Sequence, residues 1–467
     1  MQKKNTYKTT DVERVDVLDV LARLHAAAMG GVVACLMAFD VAKERFVVAL
    51  IAAAGETILR IRFRHPTQTE AMLALTRALQ EGGVRVSAAM EPTGTYGDAV
   101  RWQFGKLGVV VHRVSPKKTH DARELLDGVP SLHDGKSTEI IGRLHGMGLS
   151  TEWTMASESR RQMRALVETR RMFDRMTRGP YGMLEAHVSR HWPEFGRWMD
   201  VWHQKSALRL LQEFGGPSRV SAEPETAKTR LHEWSNARLA PELIDSVVAS
   251  AKTTLGVPMT ENERRQMQHA ATIALDGWTS VEAVEREMAK AIEPNSPIAH
   301  LEKVVGLYTA VVLGTLVDPI ASPHARAFEK ACGLNLREKS SGQLESAKKI
   351  TKRGPSEVRR VLYLAALRFV QTHPAAQAWY ARRGGYSDKG RKRALVAVMR
   401  KLVKALWYVA RGHELDVKKL FDLRRLDLDE AIATSTTCRT KGPEPRRVQR
   451  QLRGKRDATT KVDAMRT

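Results

Sequence analysis

Val32-Val33-Ala34-Cys35-Leu36-Met37-Ala38-Phe39-Asp40 is the stretch on which the fold turns. An apolar run of this kind reads as a buried strand. A carboxylate closing it is costly unless it faces a cation or solvent. The arrangement returns at Val84-Arg85-Val86-Ser87-Ala88-Ala89-Met90, which ends on Glu91, and Asp134 opens a helix-like segment further on. Glu91-Pro92-Thr93-Gly94-Thr95-Tyr96 breaks its strand sharply, with Thr95 placed to cap the helix that follows.

Between the two acids, Arg45 to Leu50 and Thr57 to Phe63 are β-rich runs separated by Ala53-Ala54-Gly55-Glu56, a turn signal. They make an antiparallel meander with the first strand. Ile58-Leu59-Arg60-Ile61-Arg62-Phe63 alternates apolar and polar residues and reads as an edge with one wet face. Helical spacing over Glu70 to Leu79, the Val84 to Met90 strand, a helix over Asp98 to Leu107 and a strand at Val109-Val110-Val111 complete the pattern. Three antiparallel strands followed by β-α units is the order of a ribonuclease H-like fold. Its first and fourth strands lie side by side, which brings Asp40 and Glu91 together.

The remainder is helical. We expect an N-terminal extension over 1–30, the α/β domain over 31–150, a helical connector over 151–295, an all-α domain over 296–410 and a basic tail over 411–467. The connector reads either as a coiled coil that spaces or dimerises the ends or as an ordinary helical subdomain. The tail, with Arg446-Arg447 and Arg453-Gly454-Lys455-Arg456, suits a phosphate backbone.

With 76 Lys and Arg against 52 Asp and Glu, the 467-residue chain carries a formal charge of +24, which attracts polyanions. Nucleic acid is the first partner to consider. No stretch approaches the ~20 apolar residues that span a bilayer, and the start Met1-Gln2-Lys3-Lys4 leads into no apolar signal core, so a cytoplasmic address without a membrane partner is expected. Cys35, Cys332 and Cys438 form no CxxC pair, which points away from zinc, and Cys35 reads as a core residue. His112, His120 and His133 lie near the acids, but hard ions such as magnesium prefer oxygen ligands.

Phe39-Asp40-Val41-Ala42-Lys43, Ala89-Met90-Glu91-Pro92-Thr93-Gly94-Thr95-Tyr96, Ser115-Pro116 and Asp134-x-Lys136 followed by Ile140-Ile141-Gly142-Arg143-Leu144 resemble the DEDD transposases of the insertion-sequence family that includes the invertase Piv, the IS-one-ten type. Phe328-x-x-Ala331-Cys332-Gly333-Leu334, Ser340-Ser341-Gly342, Ile350-Thr351-Lys352-Arg353-Gly354 and Val358-Arg359-Arg360-Val361-Leu362 resemble that family's second domain in order and spacing. The resemblance covers roughly residues 31 to 410.

It implies a RuvC-like domain that holds Mg2+ or Mn2+ through Asp40, Glu91 and Asp134, and a C-terminal domain whose serine attacks DNA. By position that serine is Ser341, with Ser340 the runner-up. It further implies DNA partners (element ends and target), a guide or bridge RNA as in several family members, a homo-oligomer (dimer or tetramer) and a bacterial, nucleoid-associated setting. Lys339, Lys348, Lys349, Lys352, Arg353 and Arg359 are the expected nucleic-acid contacts around the serine. A composite site would form where the two domains meet.

One position departs from the pattern. The family's fourth aspartate, three residues after the third, is Ser137 here. Glu139 does not replace it, because two residues along a helix is roughly 200° of rotation. Asp127 swings in, or Ser137 or water completes the shell, or the copy is inactive. Two other readings stand beside the recombinase: a junction nuclease using metal-activated water, and a non-catalytic nucleic-acid-binding protein derived from a transposase.

Overall fold

A computed structural model describes residues 7–422 and Leu426, apart from Thr93, Leu125, Asp127, 131–132, 339–348 and 388–389. The expected roles of Asp127, Lys339, Ser340, Ser341, Lys348 and the basic tail beyond Asp422 therefore lie outside the described residues, whereas the start of the segment expected as tail, with helix Val417–Leu420 and the buried Phe421, belongs to the helical unit. The chain divides into two compact units, Met1–Ser157 and Glu158–Thr467.

The first unit is built on a seven-stranded sheet. Its strands are β1 (Thr10–Asp11), β2 (Ala34–Val41), β3 (Arg45–Ala52), β4 (Thr57–Arg64), β5 (Arg85–Met90), β6 (Val110–Val114) and β7 (Ser150–Glu152). Its helices are α1 (Val17–Ala27), α2 (Thr69–Glu81), α3 (Asp98–Lys106), α4 (Pro116–Asp121) and α5 (Asp134–Gly146). The strand order is β1-β4-β3-β2-β5-β6-β7, with β2–β3–β4 an antiparallel meander and β5 parallel to β2. The sheet thus places the first and fourth long strands side by side, as the sequence pattern requires.

Two details differ from expectation. β4 is not the edge, because Thr10–Asp11 adds a short parallel strand outside it. The residues before 31 are therefore part of the sheet unit. β2 also runs one residue past the acid, so Asp40 lies inside the strand, opposite Val47.

Alternation along the strands divides the core into two faces. Met37, Phe39, Val48, Leu50 and Met90 point to the side covered by α1, α2 and α3. Phe39 is fully buried and meets the rings of Phe63 and Phe104 edge-on, at 6.5 and 5.2 Å. Burying such a side chain contributes ~1.5–3 kcal/mol. On the other face Ala38, Ala49 and Ala89 form a shallow floor for Ile140, Ile141 and Leu144 of α5. A Cβ at Gly142 would collide with Ile51 and touch Ala38, so this glycine lets α5 settle close to the sheet. Cys35 is buried, and burial pushes its thiol up to about 12, consistent with a core residue.

The second unit is helical and holds two hydrophobic cores. One gathers Leu184, Trp192, Leu208, Leu211, Leu231, Val247 and Met267. This is the packing of a helical subdomain, the second of the two readings for the connector. The other core includes Met163, Leu301, Phe328, Val361, Leu402 and Phe421. Helix Glu261–Lys290 serves both, with Ala271 in the first and Met288 in the second. Thr260 and Glu263 start it with a reciprocal capping box, satisfying donors that a helix N-terminus leaves free.

A charged network ties this unit together. Arg170 bonds Glu285 and Asp174, each at 2.7 Å, and stacks its guanidinium 3.8 Å from the Tyr308 ring. Tyr308 donates its hydroxyl to Glu357 at 2.7 Å, and Arg360 chelates the same carboxylate. Burial alone would push the Glu357 carboxyl up, but the Arg360 and Tyr308 hydrogen bonds outweigh it and hold the group below its ordinary value. Removing one member of a buried ion pair leaves an uncompensated charge and costs about 3–5 kcal/mol. Because Glu357 is not wholly desolvated, we expect Glu357→Ala to cost ~2–3 kcal/mol, read as a lower urea midpoint with an unchanged slope.

Candidate acidic site

Strand register positions the acids. Phe39 on β2 pairs with Met90 on β5, so Asp40 and Glu91 follow as the next residues on two adjacent parallel strands. Period-two alternation turns Asp40 to the same face as Ala38, the face that α5 covers. Asp134 is the first residue of α5, where a negative side chain is favoured by the helix dipole. The cap itself is His133, whose ring accepts from the Lys136 N–H at 3.3 Å, so capping does not account for Asp134.

Electrostatics report the convergence. The Asp40 carboxyl is pushed up to about 6, first by burial and then by the negative charge of Asp134, with a smaller contribution from Glu91. A hydrogen bond from Ser137 opposes the rise. Ser137 thus faces Asp40 from one helical turn beyond Asp134, the position where the resembled family carries its fourth acid. Glu139 is turned away and bonds Arg60 of β4 at 3.0 Å.

Carboxylate and hydroxyl oxygens are the donor type that hard divalent cations prefer. The acids are neighbours in charge more than in contact. Among the described residues, no group of three or more His, Cys, Asp or Glu side chains is placed to hold a metal ion.

The turn after Glu91 differs from expectation. α3 is capped by Gly97 without a side-chain hydrogen bond, and Thr95 contributes only its carbonyl, which accepts from the Asp98 N–H. Arg101 of α3, buried and ion-paired to Asp98, packs against Gly97 beside Val41. Composition gave no sign of it, since buried arginines are exceptions that pattern reading misses.

In the second unit the described residues of the expected serine region form a small, tightly turned structure. Leu336–Arg337 pairs antiparallel with Lys349–Ile350. Gly333 and Gly354 bring two of the quoted motifs into backbone contact: a Cβ on Gly333 would meet the Arg353 backbone at 2.9 Å, and one on Gly354 would strike the Ala331 carbonyl. Lys349, Lys352 and Arg353 are exposed, as phosphate contacts require. Arg359 instead donates to the Gly354 carbonyl at 2.7 Å and braces that loop.

Residues 303–381 match the family described as Transposase IS116/IS110/IS902. The chain is also 25% identical over 206 residues to the "Insertion element IS110 uncharacterized 43.6 kDa protein" of Streptomyces coelicolor, a match covering 43% of this chain and 51% of that protein. The chain therefore spans about half the length of the curated relative it matches. Among the described residues, no helix is long and apolar enough to cross a membrane.

Proposed function

We propose that this chain is a DNA transposase of an insertion sequence, a recombinase whose first unit is a ribonuclease H-like, RuvC-type domain. The observation that carries the reading is the register that sets Asp40 and Glu91 side by side at the C-terminal ends of β2 and β5, with the Asp40 carboxyl raised by burial first and then by the charge of Asp134 at the start of α5. The transposase match over 303–381 supports it independently, from the other unit.

Asp40, Glu91 and Asp134, with Ser137, are the residues that would hold Mg2+ or Mn2+. Such an ion supplies charge neutralisation at a scissile phosphate. The chain's own residues do the rest. Ser137 fixes the Asp40 carboxylate by its hydrogen bond, and Gly142 seats α5 so that Asp134 comes up to the sheet. Ser341, inside the matched segment, is the proposed nucleophile: its oxygen bonds to phosphorus, a deoxyribose hydroxyl leaves, and the serine proton passes to that leaving oxygen. Lys349, Lys352 and Arg353 steady the phosphate backbone, with Lys339 and Lys348 proposed beside them. A bridge RNA and a homo-oligomer belong to this reading through the resemblance.

The test is purified protein with DNA bearing the element's ends, with and without Mg2+. Strand transfer that requires both the ion and Asp40 supports the reading. Binding of the same DNA with no cutting under any divalent ion favours the non-catalytic binding protein.

A further inference from the structure

A groove of about 890 Å3 runs from Asp134 across β3 and β4 of the first unit. The sheet register explains what lines it. Asp40 on β2 is opposite Val47 on β3, Val47 is opposite Arg62 on β4, and Arg62 is opposite Asp11 on β1. Arg62 therefore lies two strands, ~10 Å, from Asp40 in the same cross-strand row. One step further out, Arg45 and Arg64 stand directly opposite each other.

Two like charges opposed across an antiparallel pair cost stability. Arg45 and Arg64 are both exposed, and neither forms an ion pair with a carboxylate among the described residues. Asp11 does not serve them: it lies 3.9 Å from Arg62 and accepts from Gln68 at 3.0 Å. Glu13 and Asp134 are the other acids that line the groove. A polyanion laid in the groove would relieve the opposed pair. At the Asp134 end, Tyr7 and His133 form an edge-to-face pair with centroids 4.5 Å apart, an aromatic wall of the sort on which a nucleobase packs.

We propose that this groove holds the DNA strand being processed, with Arg45, Arg62 and Arg64 gripping phosphates that flank the one beside Asp134. The inference rests on the phosphodiester chemistry proposed above. DNA, and not a guide RNA, is the occupant because the groove opens onto Asp134, so the backbone it holds is continuous with the bond at the acids.

The experiment measures anisotropy of a fluorescein-labelled single-stranded DNA bound to the full chain across a salt series, for the parent and for Arg45→Ala/Arg64→Ala. Each phosphate contact adds about 0.7 to the salt slope on a single strand. The double variant should therefore lower the slope by about 1.4 and weaken binding roughly tenfold at low salt. Its melting temperature should not fall, since an opposed pair of like charges has been removed. A parent that binds with slope and affinity unchanged in the double variant overturns the proposal. So does a variant that loses RNA of the same sequence while keeping DNA. Metal-dependent cutting is scored separately: a parent that never cuts defeats the recombinase reading, whereas the slope reports on the groove alone.

Discussion

Asp40→Asn is expected to lower metal-dependent strand cleavage by about a thousandfold while making the protein harder to unfold at neutral pH. The first effect follows if Asp40 is a ligand of the proposed ion, since its loss removes several kcal/mol of charge stabilisation in the transition state. The second follows from the raised carboxyl. In the folded chain Asp40 titrates at about 6 against an ordinary value of 3.8, because burial and Asp134 oppose its charge. Its contribution to stability is fully present below 3.8 and is lost as pH rises through about 6. That rise corresponds to ~3 kcal/mol between the two protonation states, which solvent screening reduces to about 1–2 kcal/mol. At pH 7.5, without metal, the variant should melt ~2–6 °C higher than the parent. Below pH 4 the gain should vanish. A variant that melts lower at pH 7.5, or cuts as fast as the parent, contradicts the site.

If Ser341 is the nucleophile, Ser341→Ala is expected to abolish a covalent protein–DNA adduct and to reduce strand joining by about a thousandfold or more, since the attacking oxygen is then missing. The assay is a denaturing gel of labelled DNA after incubation with Mg2+. Ser340→Ala should retain the adduct, which distinguishes the two adjacent serines. Cleavage that survives Ser341→Ala, with no adduct in the parent, would establish the junction-nuclease alternative, because metal-activated water then suffices. Asp40→Asn should lower cleavage and adduct together, whereas only Ser341→Ala removes the proposed attacking oxygen.

The acidic pair was legible because its cause is topological. Two apolar strands, each ending on an acid and separated by a meander and a helix, must lie side by side if the first and fourth strands pair, and they do. Exact ends were less legible: nothing in Val41 separates it from the turn residues that follow, so β2 outruns the predicted strand by that residue. β1 escaped notice because two polar residues, Thr10 and Asp11, carry no apolar period and gain strand form only from their neighbour. The arginines of β4 were visible as a wet face, but alternation alone cannot say that they share that face with Asp40. Ser137 was conspicuous as a missing acid. Its hydrogen bond to Asp40 depends on how closely α5 approaches the sheet, which Gly142 sets and no motif records. The Tyr308–Glu357–Arg360 network was invisible for a related reason, since its members meet only after helices distant in sequence pack together.

Whether Asp40, Glu91 and Asp134 together hold one divalent ion is read by Mn2+ titration of the full chain, followed by the EPR signal of the free ion. The parent should show one site, weakened by about tenfold or more in Asp40→Asn, Glu91→Gln and Asp134→Asn alike, since each would remove a hard oxygen ligand. A triple variant that binds Mn2+ as the parent does would contradict it.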